Sequence, residues 1–142
     1  MDGWHTGTGI IKYDPYRGGM KNKTNWWAVL EVSKEITRYY RWWIQKEKWI
    51  KLYQPSWDAH VSIIRGEKPE PHLMHLWKKY DGQRVDFKYK HHVRQSGDTT
   101  GWDRPSHYYF VEVNAPFLMD IRNELQRPTD WKLHLTIGRT YR

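Results

Sequence analysis

The chain has 142 residues and no cysteine. That excludes disulfide staples, a thiolate nucleophile and cysteine-ligated zinc, and it fits a reducing compartment. Long apolar runs are missing too. No stretch approaches the roughly 18 apolar residues that a membrane-spanning helix needs. The first nine residues are polar and glycine-rich, without the apolar centre of a secretory signal. The expectation is a cytoplasmic protein with no membrane partner and no evident protein partner. Gly7-Thr8-Gly9 lacks the lysine and helix start of a phosphate loop. His72 and His75, and the adjacent His91 and His92, have no Asp or Glu at ligand spacing to complete a metal set. Neither a metal nor a cofactor is therefore expected.

Acidic residues are the minority, 16 against 24 Lys and Arg, and the formal charge is +8. That balance favours a polyanionic partner such as RNA or a nucleotide. Aromatics make up 16% of the chain and ten residues are tryptophan. Most of these serve packing, with two or three left to stack on bases. The length suits one domain with a sizeable core.

A four-residue pattern occurs twice: His60-Val61-Ser62-Ile63 and His134-Leu135-Thr136-Ile137. Strand side chains alternate faces, so His60 and Ser62 share one face while Val61 and Ile63 fill the other. The same parity places His134 beside Thr136. Two imidazoles with neighbouring hydroxyls can perform phosphoryl chemistry. One histidine takes a proton from the attacking oxygen, the other protonates the leaving oxygen, and the hydroxyls hold the non-bridging oxygens. Either motif alone reads better as a buried, hydrogen-bonded histidine. The pair gains meaning from its context, because each copy closes a similar segment. Ala28-Val29-Leu30-Glu31-Val32-Ser33 and Tyr109-Phe110-Val111-Glu112-Val113-Asn114 read as strands ending on a helix-capping residue. A helical pattern follows each, through Ile36, Tyr39, Tyr40, Trp43 and Ile44, and through Phe117, Leu118, Ile121 and Leu125. The histidine motif is then the returning strand.

Paired His-x-Ser/Thr motifs, each closing a strand–helix–strand half, resemble the two-histidine (2H) phosphoesterase superfamily. Its members include 2′-5′ RNA ligase-like proteins, cyclic phosphodiesterases, and small phage proteins that cleave the cyclic oligonucleotide signals of bacterial immunity. The resemblance covers residues 26–142, with Ser62 standing where threonine is commoner. It implies an α+β fold of two pseudo-symmetric strand–helix–strand lobes, with antiparallel sheets around a central cleft. His60 and His134 become the acid–base pair, with either one as base, and Ser62 and Thr136 the phosphate-holding hydroxyls. The implied activity is metal-independent cleavage of an RNA-like phosphodiester: a 2′,3′-cyclic phosphate, a 2′-5′ linkage, or a bond in a cyclic oligonucleotide. For a phage-encoded member the compartment would be the host cytoplasm. The alternative is a nucleotide or RNA sponge on the same fold, without turnover.

Other segments carry secondary expectations. Residues 1–25 read as a loop-rich extension with an edge strand at Ile10–Tyr13, ahead of the domain at 26–142. A short helix is expected over His72–Tyr80 and one long strand over Val85–Arg94, whose Lys88, Lys90, His92 and Arg94 face is either solvated or lines the cleft. The loop 95–106 presents Trp102 and Arg104, either as a substrate clamp or as a surface hairpin. Parity places Trp27, Val29 and Glu31 on the cleft face of the first half, and Tyr108, Phe110, Glu112 and Asn114 on that of the second. Trp27 and Tyr108 are then candidates to contact bases. One of the glutamates, Glu31 or Glu112, either orients a histidine or substrate hydroxyl, or pairs with Lys88, Lys90 or Arg94.

Overall fold

The computed structural model describes residues 3–15, 25–53, 59–95 and 107–140. Among them the strands are β1 (Trp4–Tyr13), β2 (Trp27–Val32), β3 (His60–Arg65), β4 (Arg84–Lys90), β5 (Arg94–Gln95), β6 (His107–Asn114) and β7 (His134–Thr140). Helix α1 (Lys34–Lys48) joins β2 to β3, and α2 (Pro116–Glu124) joins β6 to β7.

All strand pairs are antiparallel, in the order β4-β1-β2-β3-β7-β6-β5. Lys88 and Tyr89 of β4 also pair with Asn114 and Val113 of β6. Six strands thus close on themselves as a barrel. The fold is mixed α+β, as expected, but two lobes with separate sheets are not seen. A separate sheet in each half would leave rows of backbone donors and acceptors unpaired at its edges, and closure removes them. The units β2–α1–β3 and β6–α2–β7 persist inside the single sheet and meet at one pair, Val61 opposite Leu135.

Ile11, Leu30, Val61, Ile63, Val111, Leu135 and Ile137 pack into one core with Tyr40 and Ile44 of α1 and Leu118 and Ile121 of α2. Each such buried aliphatic contributes roughly 1.5–3 kcal/mol. The helices cross over between halves, α1 packing against β7 and α2 against β3. Trp27 and Val29 are also buried, yet lie outside this core. Val29 is the partner of Ser62, so the sheet has a core face and a second face carrying the histidine motifs.

Four local expectations change. The N-terminal strand is not at an edge: β1 runs for ten residues between β2 and β4. Its glycines, read as loop signals, are sites of close approach. A Cβ on Gly7 would lie 2.8 Å from the Phe87 ring, and one on Gly9 2.6 Å from the Glu31 carbonyl oxygen. The long strand at 85–94 breaks after Lys90, and Arg94–Gln95 crosses to pair with β6. The segment at His72–Tyr80 is a 3₁₀ turn, Pro71–Leu76, followed by turns. Ser33 caps α1 by accepting from the Glu35 amide (3.2 Å). The cap of α2, however, is Ala115 rather than Asn114, with Pro116 setting the first helical residue.

Candidate active site

The two histidine strands share an irregularity that simple alternation does not contain. Ala28 pairs with Ile64 and Val29 with Ser62, which leaves Ile63 as an extra residue in β3. Tyr109 pairs with Gly138 and Phe110 with Thr136, which leaves Ile137 extra in β7. Each is a β-bulge one residue after the hydroxyl, and a bulge reverses the parity of everything beyond it. Ile63 and Ile64 are accordingly both buried. Arg65 and Arg139 are turned onto the face that already carries His60 with Ser62 and His134 with Thr136.

A bulge leaves its own carbonyl outside the ladder, and a buried carbonyl needs a donor. Arg122 of α2 donates from Nη1 to the Ile63 oxygen (2.9 Å). Arg41 of α1 donates from Nη1 to the Ile137 oxygen (2.9 Å). Each half's helix therefore clasps the bulge of the other half. Arg122 is 1% exposed and forks onto both Glu67 oxygens (2.9 and 3.1 Å). Burial pushes the Glu67 carboxyl up, but the hydrogen bonds and charge of Arg122 outweigh it and hold the group below its ordinary 4.5.

Both motifs open into one cavity of about 1280 Å³, with Arg65, Arg94, Lys132 and Arg139 supplying positive charge to its wall. Trp4, Tyr108, Phe110 and Trp131 supply aromatic surface. The Val61–Leu135 pair fixes how the motifs meet. In an antiparallel pair its neighbours face each other, so His60 lies across from Thr136 and Ser62 across from His134. The histidines occupy a diagonal, for which backbone spacing is roughly 7–8 Å. One phosphate between them can reach a different imidazole with each of two ester oxygens.

The first half is organised by Trp27. Its indole Nε1 donates to Ser62 Oγ (3.1 Å), its ring meets His60 edge-on at 5.4 Å, and the Arg65 guanidinium lies 5.5 Å from its ring centre. With an Oγ lone pair taken by the indole, the Ser62 proton is left for an acceptor in the cavity. Trp131 fixes the same residue from the backbone side, Nε1 donating to the Ser62 carbonyl (3.1 Å), and Arg122 lies 4.6 Å from the Trp131 ring. In the second half Phe110 meets His134 edge-on at 5.6 Å. His134 Nδ1 is 3.3 Å from the Lys132 carbonyl oxygen. A carbonyl only accepts, so this contact puts a proton on Nδ1 and leaves Nε2 for proton exchange.

Tyr108, Glu112 and Arg94 line the cavity, as the parity argument expects of the first two. Trp27 does not present itself to bases: it is 4% exposed and lies beneath its half-site. The Glu112 carboxylate pairs with Arg94 and, at 3.8 Å, with Lys90. The Arg94 hydrogen bond, helped by the Arg94 and Lys90 charges, holds it below the usual carboxylate range. Glu31 is paired with Lys12 at 3.7 Å. Trp102 and Arg104 lie outside the described residues. Among the described residues no three His, Asp or Glu side chains cluster as a metal set, and no helix is long and apolar enough to cross a membrane.

Arg65, Arg139, Lys132, Trp4 and Trp131 also line the cavity, and strand alternation does not point to them. For the arginines a signal was present, since both motifs extend to six residues, HVSIIR and HLTIGR. Strict alternation hides it by assigning the sixth position to the core. No family model, curated protein or solved structure matches the chain.

Proposed function

We propose that the cavity is the active site of a phosphodiesterase of the two-histidine kind, acting without a metal on nucleotide or RNA-like substrates. The observation that carries this reading is that both His-x-Ser/Thr motifs line one cationic cavity, related by a local twofold through Val61 and Leu135. Imidazole is the side chain suited to exchange protons near neutral pH, and two on opposite sides of a phosphate divide the work. For a 2′,3′-cyclic phosphate, one histidine accepts a proton from the attacking water as the new P–O bond forms. The other donates a proton to the ribose oxygen as its P–O bond breaks. Ser62 and Thr136 donate to the non-bridging oxygens, and Arg65 and Arg139 offset the charge that gathers there. For a cyclic oligonucleotide the ribose 2′-hydroxyl replaces water as nucleophile, and the first product is a 2′,3′-cyclic phosphate.

The test is product analysis by mass spectrometry in the presence of EDTA. Substrates are 2′,3′-cyclic mononucleotides, 2′-5′ oligoadenylate, and cyclic di- and trinucleotides. Turnover by the wild type is expected to fall by about 10²–10⁴ in His60→Ala and in His134→Ala. A ligand that binds and is recovered intact would make the protein a sponge. Turnover indifferent to both histidines would remove the cavity from the chemistry.

A further inference from the structure

Among the described residues, every large hydrophobic side chain that is exposed lies between residues 39 and 53: Tyr39, Trp42, Trp43, Trp49 and Tyr53, at 41% to 93% exposure. Such a concentration requires an explanation, because scattered apolar residues on a surface do not. Helix α1 buries Thr37, Tyr40 and Ile44 against the sheet. Tyr39, Trp42, Trp43 and Lys46 form a second stripe at i, i+3, i+4 and i+7, directed to solvent. Tyr39 and Trp43 share the three-to-four spacing of Ile36, Tyr40 and Ile44, yet both are exposed.

The chemistry of the stripe is selective. Its hydrophobic members are all tryptophan or tyrosine, with none of the aliphatic side chains that a lipid interior or a hydrophobic protein interface would draw upon. Cations are interleaved with the rings: Lys46 Nζ sits 4.5 Å from the Trp42 ring centre and Lys51 Nζ 5.1 Å from that of Tyr53. From Lys34 to Tyr53 there are six basic residues against Glu35 and Glu47. Arg38 already neutralises Glu35 at 3.1 Å. Beside the stripe a cavity of about 630 Å³ opens between Tyr39, Tyr40 and Trp43 on one side and Tyr89, His5 and His91 on the other. That volume falls in the range of small-molecule sites, and six aromatic rings line it together with Ile36 and Glu35, the latter already paired with Arg38.

We infer that this face of α1 binds a single-stranded polynucleotide, with bases stacked on Tyr39, Trp42 and Trp43 and the backbone running over Lys46 and its neighbours. Planar π surfaces recognise bases of any sequence, and interleaved cations follow a phosphate chain. The charge complementarity favours this occupant over a second copy of the same +8 chain. The surface shares no lining residue with the large cavity, and the inference stands without the phosphodiesterase reading.

The test is fluorescence anisotropy with a labelled oligouridylate of about 12 nucleotides, a length within the range of single-strand sites. The His134→Ala background prevents consumption of the probe. Trp42→Ala and Trp43→Ala are each expected to weaken binding about tenfold, and Lys46→Ala to weaken it and flatten its salt dependence. Both tryptophans are exposed, so circular dichroism should show an unchanged fold. Turnover of a 2′,3′-cyclic mononucleotide by Trp42→Ala, in the otherwise wild-type chain, should also be unchanged. Binding that survives all three α1 substitutions but is lost in Arg65→Ala and Arg139→Ala would place the strand in the cavity and overturn the inference. So would α1 substitutions that alter only the sedimentation coefficient, indicating a second copy. Binding to anionic phosphatidylserine vesicles in place of the oligonucleotide would overturn it equally.

Discussion

The two halves of the barrel present the same cavity groups on different supports. Each contributes a histidine, a hydroxyl and a bulge-directed arginine, and each bulge is held by an arginine from the opposite helix. Beneath the first half lies one buried indole that touches its histidine, hydroxyl and arginine together. The second half has Phe110 beside His134, with Glu112 tied to Arg94 and Lys90. The clasps differ as well: Arg122 is fully buried and forked onto Glu67, whereas Arg41 is half-buried. Equivalent backbone geometry can thus be reached from different side chains, provided the bulged carbonyl finds a donor.

The two halves are set furthest apart by the buried clasp. Glu67→Ala strands the Arg122 guanidinium in the core, and loss of one partner of a buried pair costs about 3–5 kcal/mol. Chemical denaturation should register that loss, while Arg41→Met should cost clearly less. The acid limb gives a second reading. Because the folded-state pKa of Glu67 is lowered, its stabilisation is intact above 4.5 and is lost as pH falls through the lowered value. Glu67→Gln should remove that part of the acid dependence.

Next in size are the cavity arginines. Charge-assisted hydrogen bonds are worth about 1.5–3 kcal/mol, so Arg65→Ala and Arg139→Ala should each lower kcat/KM by about 10- to 150-fold on a cyclic mononucleotide. A marked inequality between them would show which half holds the non-bridging oxygens at the transition state.

Trp27→Phe keeps a ring under His60 and Arg65 but removes the donor to Ser62. The expected cost is about 1 kcal/mol, seen in kcat more than in KM, and absent when Ser62 is already alanine. An equal loss in the Ser62→Ala background would reduce Trp27 to a packing residue. The smallest effect is expected from Glu112→Gln, whose pair with Arg94 is half-exposed and worth at most about 1 kcal/mol. Near-wild-type turnover would assign Glu112 to holding Arg94, and a large loss would return it to histidine orientation.

Particular residues show how far the chain could be read. His60, Ser62, His134 and Thr136 were legible because period-two alternation and a repeated context are local properties. The α1 and α2 patterns were legible for the same reason. Trp27 pairs with Arg65 of the cavity wall, yet parity says nothing of what covers a face, and the structure buries it. Gly7 and Gly9 read as loop because glycine is a turn signal, whereas here Phe87 and Glu31 press on the strand. The break after Lys90 and the partner of Arg94 depend on where β6 lies, and no local pattern encodes that.

The repeat, the alternation that unites each histidine with a hydroxyl, the basic charge and the amphipathic helices are all written in the order of the residues. All of these rest on spacings within a few residues. Tertiary structure alone decided the closure of the sheet, the bulges at Ile63 and Ile137, the arginines they turn into the cavity, and the clasps by Arg41 and Arg122. Each of those depends on pairing between distant segments, where a register shifted by one residue changes the face of every side chain beyond it.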